Sequence, residues 1–401
     1  MKSGFARLAL VLGLITAAGP FAIDMYLPAL PTIGGALNAS TSAVQMSLTA
    51  FFITLGVCQL VYGPMADMFG RKPPIYLGLM LFIAGSVGCA LAPSVEALIG
   101  FRVLQAIGAC AGMVVPRAIV RDLHTGHEAA RLMSLLMLVV SVSPILAPLA
   151  GSALIAVGGW RAVFWAVTIA GVVGLLLATL QLQETRPAEH RADTSWASVL
   201  AGYRTLLADP VFMGLTFAGA FGMSTFFVYL AGSSFVLIGH YGLSPTVYSL
   251  FFGLNAVSFF GAAQFNGWLA RRYGMARIVR VAATGLAVSM AGLVALVLLG
   301  VERLDVMTVF LLVAYSFLGV VVPTTAVLSL DHHGEIAGAA SALMGSLQMV
   351  VGSAVMGLAG VFADGTPRPM IVSMGICALA CFVVAQFSLR AAGAAAPAPA
   401  E

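Results

Sequence analysis

GPMADMFGRK, residues 63–72, is a polar island between two long apolar blocks, and a shortened echo of it, GWLARRYG, stands at residues 267–274. Gly63 and Gly70 recur 204 residues later as Gly267 and Gly274, and basic charge is kept as Arg271-Arg272, whereas Asp67 has no acidic counterpart. Each residue of the island suits a helix end at a membrane surface. Gly63 permits close helix packing, Asp67 is placed to bond a neighbouring helix terminus, Gly70 permits a tight reversal, and Arg71 and Lys72 anchor the loop on the basic side. The segment is expected to be a gate-like hinge in a chain that repeats itself.

The repetition extends outward from the island. At an offset of 207, Val114-Val115-Pro116 aligns with Val321-Val322-Pro323, Glu128 with Glu335, and Leu136-Met137 with Leu343-Met344. The blocks between polar breaks are of membrane-crossing length, about 20 residues. They predict twelve spans near 8–30, 43–65, 74–92, 97–117, 130–154, 161–182, 211–234, 247–269, 278–300, 306–329, 336–362 and 369–389. The composition agrees: 61% of the 401 residues are hydrophobic and 8% charged, against about 25% charged in soluble domains. Forty-four glycines suit helices that pack closely in lipid. The expected fold is therefore all-α and polytopic, two pseudo-symmetric six-helix bundles made by duplication.

Of the 19 Lys and Arg, all but Arg102, Arg161, Arg303 and Arg368 fall on the side shared by both termini, which the positive-inside rule assigns to the cytoplasm. Lys2 and Arg7 ahead of an apolar run ending in Ala17-Ala18-Gly19 resemble a cleavable leader, but the apolar stretch runs on, and cleavage would reverse the charge bias. The first segment is expected to be a retained span. The longest polar stretch, 183–209, divides the first bundle (1–182) from the second (210–390) and carries Trp196, Val199, Leu200, Tyr203, Leu206 and Leu207 at helical spacing, predicting a short interfacial helix. Residues 391–401 are expected to form a disordered tail. The basic residues are scattered, so nucleic acid is not a partner. Cys58, Cys89, Cys110, Cys377 and Cys381 all lie inside apolar blocks, predicting neither disulfides nor a metal site. His332-His333 is expected to be solvated.

Two charges sit within spans, Asp24 and Arg102. A charge at membrane depth costs at least about 2.5 kcal/mol, so each must face a cavity or a partner. Both fall on the order of 9 Å below the outer boundary at 1.5 Å per residue, so they are expected to pair, directly or through water, with Asp24 carrying a proton. Pro28 and Pro31 break or kink span 1 and free backbone groups. Tyr26 and Pro28 near Asp24, Gln105 in span 4, and Phe226, Tyr229, Asn255, Gln264 and Gln348 in the second half are expected to line a cavity for amphipathic, weakly polar ligands.

Residues 63–72 resemble the signature loop G-x-x-x-D-R-x-G-R-[KR] of the major facilitator superfamily, with Met68 in place of the usual arginine. Arg102 to Gly108 resembles the superfamily's R-x-x-Q-G-x-G pattern, with Ala106 for the first glycine. That pattern implies proton coupling. Pro144, Pro148 and Gly151 resemble the antiporter pattern G-P-x-x-G, with Ala147 before Pro148, and imply export. DMYLPALP, residues 24–31, with Arg121-Asp122, Gly159-Trp160-Arg161 and residues 338–348, resembles the Bcr/CflA drug-resistance branch. This resemblance implies a bacterial inner-membrane antiporter, monomeric and without a cofactor, that exchanges protons for chloramphenicol- or bicyclomycin-like molecules. Its rivals are a proton-coupled transporter of a small metabolite, importing or exporting, and a channel or receptor. An enzyme would need a nucleophile, a metal cluster or a carboxylate pair at membrane depth, and no such group is evident.

Overall fold

The computed structural model describes residues 2–191, 195–331 and 333–395. Eleven helices among them are long and apolar enough to cross a membrane. One, Gly126–Gln181, has 56 residues and at 1.5 Å per residue is about 84 Å long, far more than the hydrocarbon thickness. It is two spans joined at Gly159, whose φ of 69° and ψ of −175° are non-helical and open to glycine without strain. With that division there are twelve spans, each close to its predicted limits. The division expected at 155–160 is thus a break at a single residue, Gly159, with helix on both sides of it. The last helix, Pro367–Ala395, runs into the stretch expected to be a disordered tail; residues 396–401 lie outside the described ones.

Span 1 is discontinuous. Its first helix, Lys2–Asp24, ends at the buried carboxylate, a 3-10 turn follows over Leu27–Ala29, and a short helix, Leu30–Ala36, completes it. Pro28 and Pro31 have no N–H, so the carbonyls of Asp24 and Leu27 lack their helical donors, and the chain re-forms its bonds as Tyr26 to Ile23 at 3.3 Å and Ala29 to Tyr26 at 3.0 Å. Span 2 is Thr41–Phe69, span 3 Lys72–Leu91 and span 4 Val95–Leu123. Ser40 and Ser94 cap spans 2 and 4 by accepting from Ala43 and Ala97. Span 7, Pro210–Ser234, ends in a π-helical turn, Phe235–His240, and span 8, Pro245–Ala263, continues as Asn266–Tyr273 after a break. Spans 9 to 11 are Met275–Leu298, Leu304–Leu330 and Ala337–Val361.

By internal contacts the chain forms two compact units: Met1–Val199 with Leu237–Gly253, and Leu200–Val236 with Leu254–Glu401. In the first, the segment from the end of span 7 into span 8 is held by Ser152 of span 5, which bonds the Pro245 carbonyl at 2.9 Å and Ser249 Oγ at 2.8 Å. The helix predicted between the halves forms as Trp196–Ala208, with Leu206 buried and Trp196, Leu200 and Leu207 exposed. In the second unit, Asp209 caps span 7, accepting from Val211 at 2.8 Å and Phe212 at 3.2 Å.

His333 corrects the expectation of a solvated pair. Its Nε2 bonds Asp209 Oδ2 at 2.8 Å, its ring packs edge-on against Phe212, and its side chain is 14% exposed; His332 lies outside the described residues. Burial would raise the Asp209 carboxyl, but the bonds from His333 and the helix amides outweigh it and hold the group below the usual carboxylate range. Asp209→Ala removes the cap and strands His333, with an expected cost of about 1 kcal/mol. A lowered thermal midpoint in detergent is the expected result, and an unchanged midpoint counts against it.

Candidate functional site

In the first unit, spans 1 to 4 converge on Arg102. Its side chain is fully buried, and its Nη1 donates to the Ala22 carbonyl at 3.1 Å and to Gln105 Oε1 at 2.6 Å. Gln105 passes the interaction on, donating Nε2 to Ser86 Oγ of span 3 at 2.7 Å. The guanidinium carbon lies 4.2 Å from the ring centre of Phe51 and 4.7 Å from that of Tyr26, distances at which aromatic faces attract a cation. Nε and Nη2 have no hydrogen-bond partner among the described residues.

The expected pairing of Asp24 with Arg102 is not formed. Asp24 is buried and accepts a bond from Ser143 Oγ of span 5 at 2.9 Å. The geometry of span 1 explains the difference. Arg102 contacts the backbone carbonyl of Ala22 in the first helix and the ring of Tyr26 in the turn that follows it, whereas the Asp24 side chain between them is taken by Ser143 of span 5. The two charges are neighbours at span 1 without being partners. Span 5 is well placed to take the carboxylate, because Gly151 lies so close to span 1 that a Cβ there would collide with the Met25 carbonyl. Pro144 and Pro148 are buried on the same helix, so the three antiporter-pattern residues flank the Asp24 contact.

Three residues expected to line a cavity are instead structural in this conformation. Tyr26 is fully buried with its hydroxyl 2.8 Å from Ser47 Oγ, Pro28 is buried in the 3-10 turn, and Gln105 spends both ends of its amide on Arg102 and Ser86.

At the basic end of the same unit, Arg71 is 3% exposed. Its guanidinium bonds Asp67 Oδ1 at 2.6 Å and, in a two-point contact, Asp122 at 2.7 and 3.1 Å. Burial would lower the Arg71 pKa, but these carboxylates outweigh it and raise it. Asp67 therefore holds Arg71 and not a helix terminus. That second task falls to Glu184, whose carboxylate accepts the backbone N–H groups of Arg71 at 2.9 Å and Lys72 at 3.1 Å where span 3 begins. Gly70, at φ 95°, leaves the room: a Cβ there would lie 2.6 Å from Glu184 Oε2. Lys72 sits 5.5 Å above the Tyr76 ring. Gly63 departs from expectation, since nothing lies within 4 Å of the place a Cβ would occupy.

In the second unit, Phe226 stacks on Phe259 and meets Tyr315 edge-on, and Tyr229 packs on Tyr315 at 5.7 Å while accepting from Asn255 Nδ2 at 2.9 Å. The Tyr315 hydroxyl is buried with no hydrogen-bond partner among the described residues. Gln348 packs where a side chain on Gly219 would stand. Gln264 does not join this cluster: it is exposed at the break in span 8 and bonds the Phe260 carbonyl.

The family model described as Major Facilitator Superfamily matches residues 12–357. The chain belongs to that superfamily. Among relatives, it is 35% identical to the uncharacterized MFS-type transporter YdgK of Bacillus subtilis over 94% of each chain. It is also 29% identical to a bicyclomycin resistance protein homolog of Haemophilus influenzae, over 92% of each. Its fold is similar to that of the crystal structure of a D-xylose-proton symporter, with a TM-score of 0.76 and 16% identity, covering 95% of this chain and 96% of the other. The resemblance to the Bcr/CflA branch is borne out by such relatives, and the twelve spans are those of a superfamily member built from two six-helix bundles.

Within this superfamily member, sequence reasoning missed Ser143, Glu184 and Tyr315. Ser143 directly precedes Pro144 of the antiporter pattern, and that adjacency was the available signal. Glu184 lies 112 residues from Lys72 and carried no local sign of its role. Burial alone would raise the Glu184 carboxyl, but the N–H groups it accepts outweigh that and hold it below the usual range. Its contribution is therefore complete above the ordinary glutamate value of about 4.3 and is lost as pH falls through the lower folded value. Glu184→Ala frees the segment that follows it, so trypsin at pH 8 is expected to cut after Arg186 and Arg191 several times faster than in the unaltered chain. Equal cleavage rates would contradict the capping role.

Proposed function

We propose that this chain is a proton-driven exporter of small amphipathic drugs, of the chloramphenicol or bicyclomycin kind, acting as a monomer in a bacterial inner membrane with both termini in the cytoplasm. The observation that carries the proposal is a buried acid at a break in span 1, held by one hydroxyl of the antiporter-pattern helix beside a buried, partly unpaired arginine. The charge bias of the loops supports the orientation. The likeness to a bicyclomycin resistance protein homolog of Haemophilus influenzae supports drug export.

In this reading Asp24 carries the proton. As a carboxylate it is a strong acceptor for Ser143, and charge-assisted bonds are roughly twice as strong as neutral ones. Protonation weakens that hold and releases span 1 from span 5, with Gly151 providing the close, side-chain-free contact at which they slide. Arg102 keeps Ala22 and Tyr26 in place while its two spare N–H groups wait for a carboxylate that turns toward it. The second unit supplies the drug surface: the rings of Phe226, Tyr229 and Tyr315 offer apolar faces, and Asn255 and the Tyr315 hydroxyl offer neutral polar contacts. Such a lining suits ligands without strong charge. The parts serve binding and proton exchange, and transport, not catalysis, is the activity assigned.

Everted vesicles with an imposed pH gradient test the coupling. Asp24→Asn is expected to reduce gradient-driven uptake of chloramphenicol or bicyclomycin to the level of vesicles without the protein, while direct binding of the drug persists. Full gradient-driven transport by that variant would remove Asp24 from the mechanism. Tyr315→Phe is expected to weaken the apparent affinity about threefold to tenfold, the contribution of one hydrogen bond, with the proton dependence unchanged. An unaltered affinity for every drug tested would take Tyr315 out of the binding surface.

A further inference from the structure

The repeated loop differs between the halves in how its charge is met. In the first, Arg71 is enclosed by Asp67 and Asp122. In the second, the equivalent end carries Arg271, Arg272, Arg277 and Arg280, all exposed, and none has an acidic partner among the described residues. Beside them, where spans 8, 9 and 10 meet, lies a groove of about 360 Å³ lined by Leu269, Tyr273, Ile278, Val281 and Phe317, with Arg277 the charged member of the lining. Phe317 lies flat against span 9 because Gly285 has no side chain to displace it. Arg277 and Val281, four residues apart on span 9, share a face, and Arg280 adjoins Arg277 at the i+3 position. Val281 is 59% exposed, so the groove opens outward from the unit.

We propose that this groove seats one anionic phospholipid, its acyl chain along the apolar lining and its phosphate between Arg277 and Arg280. The composition of the site specifies the occupant. An apolar channel with one guanidinium in its lining, Arg277, and a second, Arg280, one turn along the same helix is complementary to a molecule with a negative head and a hydrocarbon tail, and to neither part alone. Charges so placed could serve only to orient the chain, but orientation requires no groove and no specific lipid. Assignment to the cytoplasmic leaflet rests on the orientation proposed above; the binding itself does not.

Native mass spectrometry of the full chain in detergent tests the site, with phosphatidylglycerol and phosphatidylcholine of identical acyl chains as probes. The unaltered chain is expected to retain phosphatidylglycerol at least about tenfold more strongly, and R277Q combined with R280Q to weaken that retention about thirtyfold, from the usual contribution of a basic residue at an anionic surface. Arg303→Gln at the opposite end is expected to change nothing, and R277K with R280K to keep most of the retention. Val281→Trp, which fills the groove and leaves every arginine in place, is expected to lower it as well and decides the matter should the arginine variant fail to fold. Equal retention of the two lipids, or retention indifferent to both the arginine and the Val281 changes, would overturn the proposal. So would full displacement of the lipid by inorganic phosphate, which would leave a bare anion site.

Discussion

The first half of this chain is organised around a positive charge that has no access to water. Burying a guanidinium is tolerable only where its surroundings replace part of its hydration. Arg102 obtains that from a carbonyl of span 1, a glutamine of its own helix that is itself held by span 3, and the faces of two aromatic rings, one from span 1 and one from span 2. Four spans are thereby tied to one side chain. Because two of its N–H groups remain without a partner, the arrangement is stable without being complete, which is what a group that changes partners during a transport cycle requires.

The break in span 1 follows from the same economy. Two prolines interrupt the bonding of span 1 and leave the carboxylate at a helix end, where span 5 comes close enough to meet it. The buried acid and arginine lie in the first unit and the cluster of Phe226, Tyr229 and Tyr315 in the second. That division suits a machine in which one half senses the gradient and the other tolerates varied cargo, since aromatic faces and a few neutral hydrogen-bonding groups discriminate weakly among amphipathic molecules.

The duplicated loops show how one ancestral pattern is put to two uses. In the first half, acids at positions 67 and 122 neutralise the buried arginine, and Glu184, reaching back from beyond span 6, caps the next helix. In the second half the acids are missing and the arginines stay exposed beside an apolar groove. Without those two acids the loop is not the internal lock seen in the first half.

Hydropathy and internal repetition determined, from the sequence alone, the number of spans and their approximate limits. Those properties depend on the chain's own length and polarity, which one dimension records. The same sequence also singled out Pro144, Pro148 and Gly151 by a pattern, and Arg71 by its place in the repeated loop. Which way each side chain turns was decided only by packing. Asp24 and Arg102 were expected to pair, but Ser143 and not the arginine receives the carboxylate. Tyr26 and Gln105, polar and well placed along the chain, are used up in holding Arg102, and Glu184 and His333 find partners more than a hundred residues away. Rotation about a helix axis and contact between distant segments are properties of the assembled helices, and no local pattern of residues contains them.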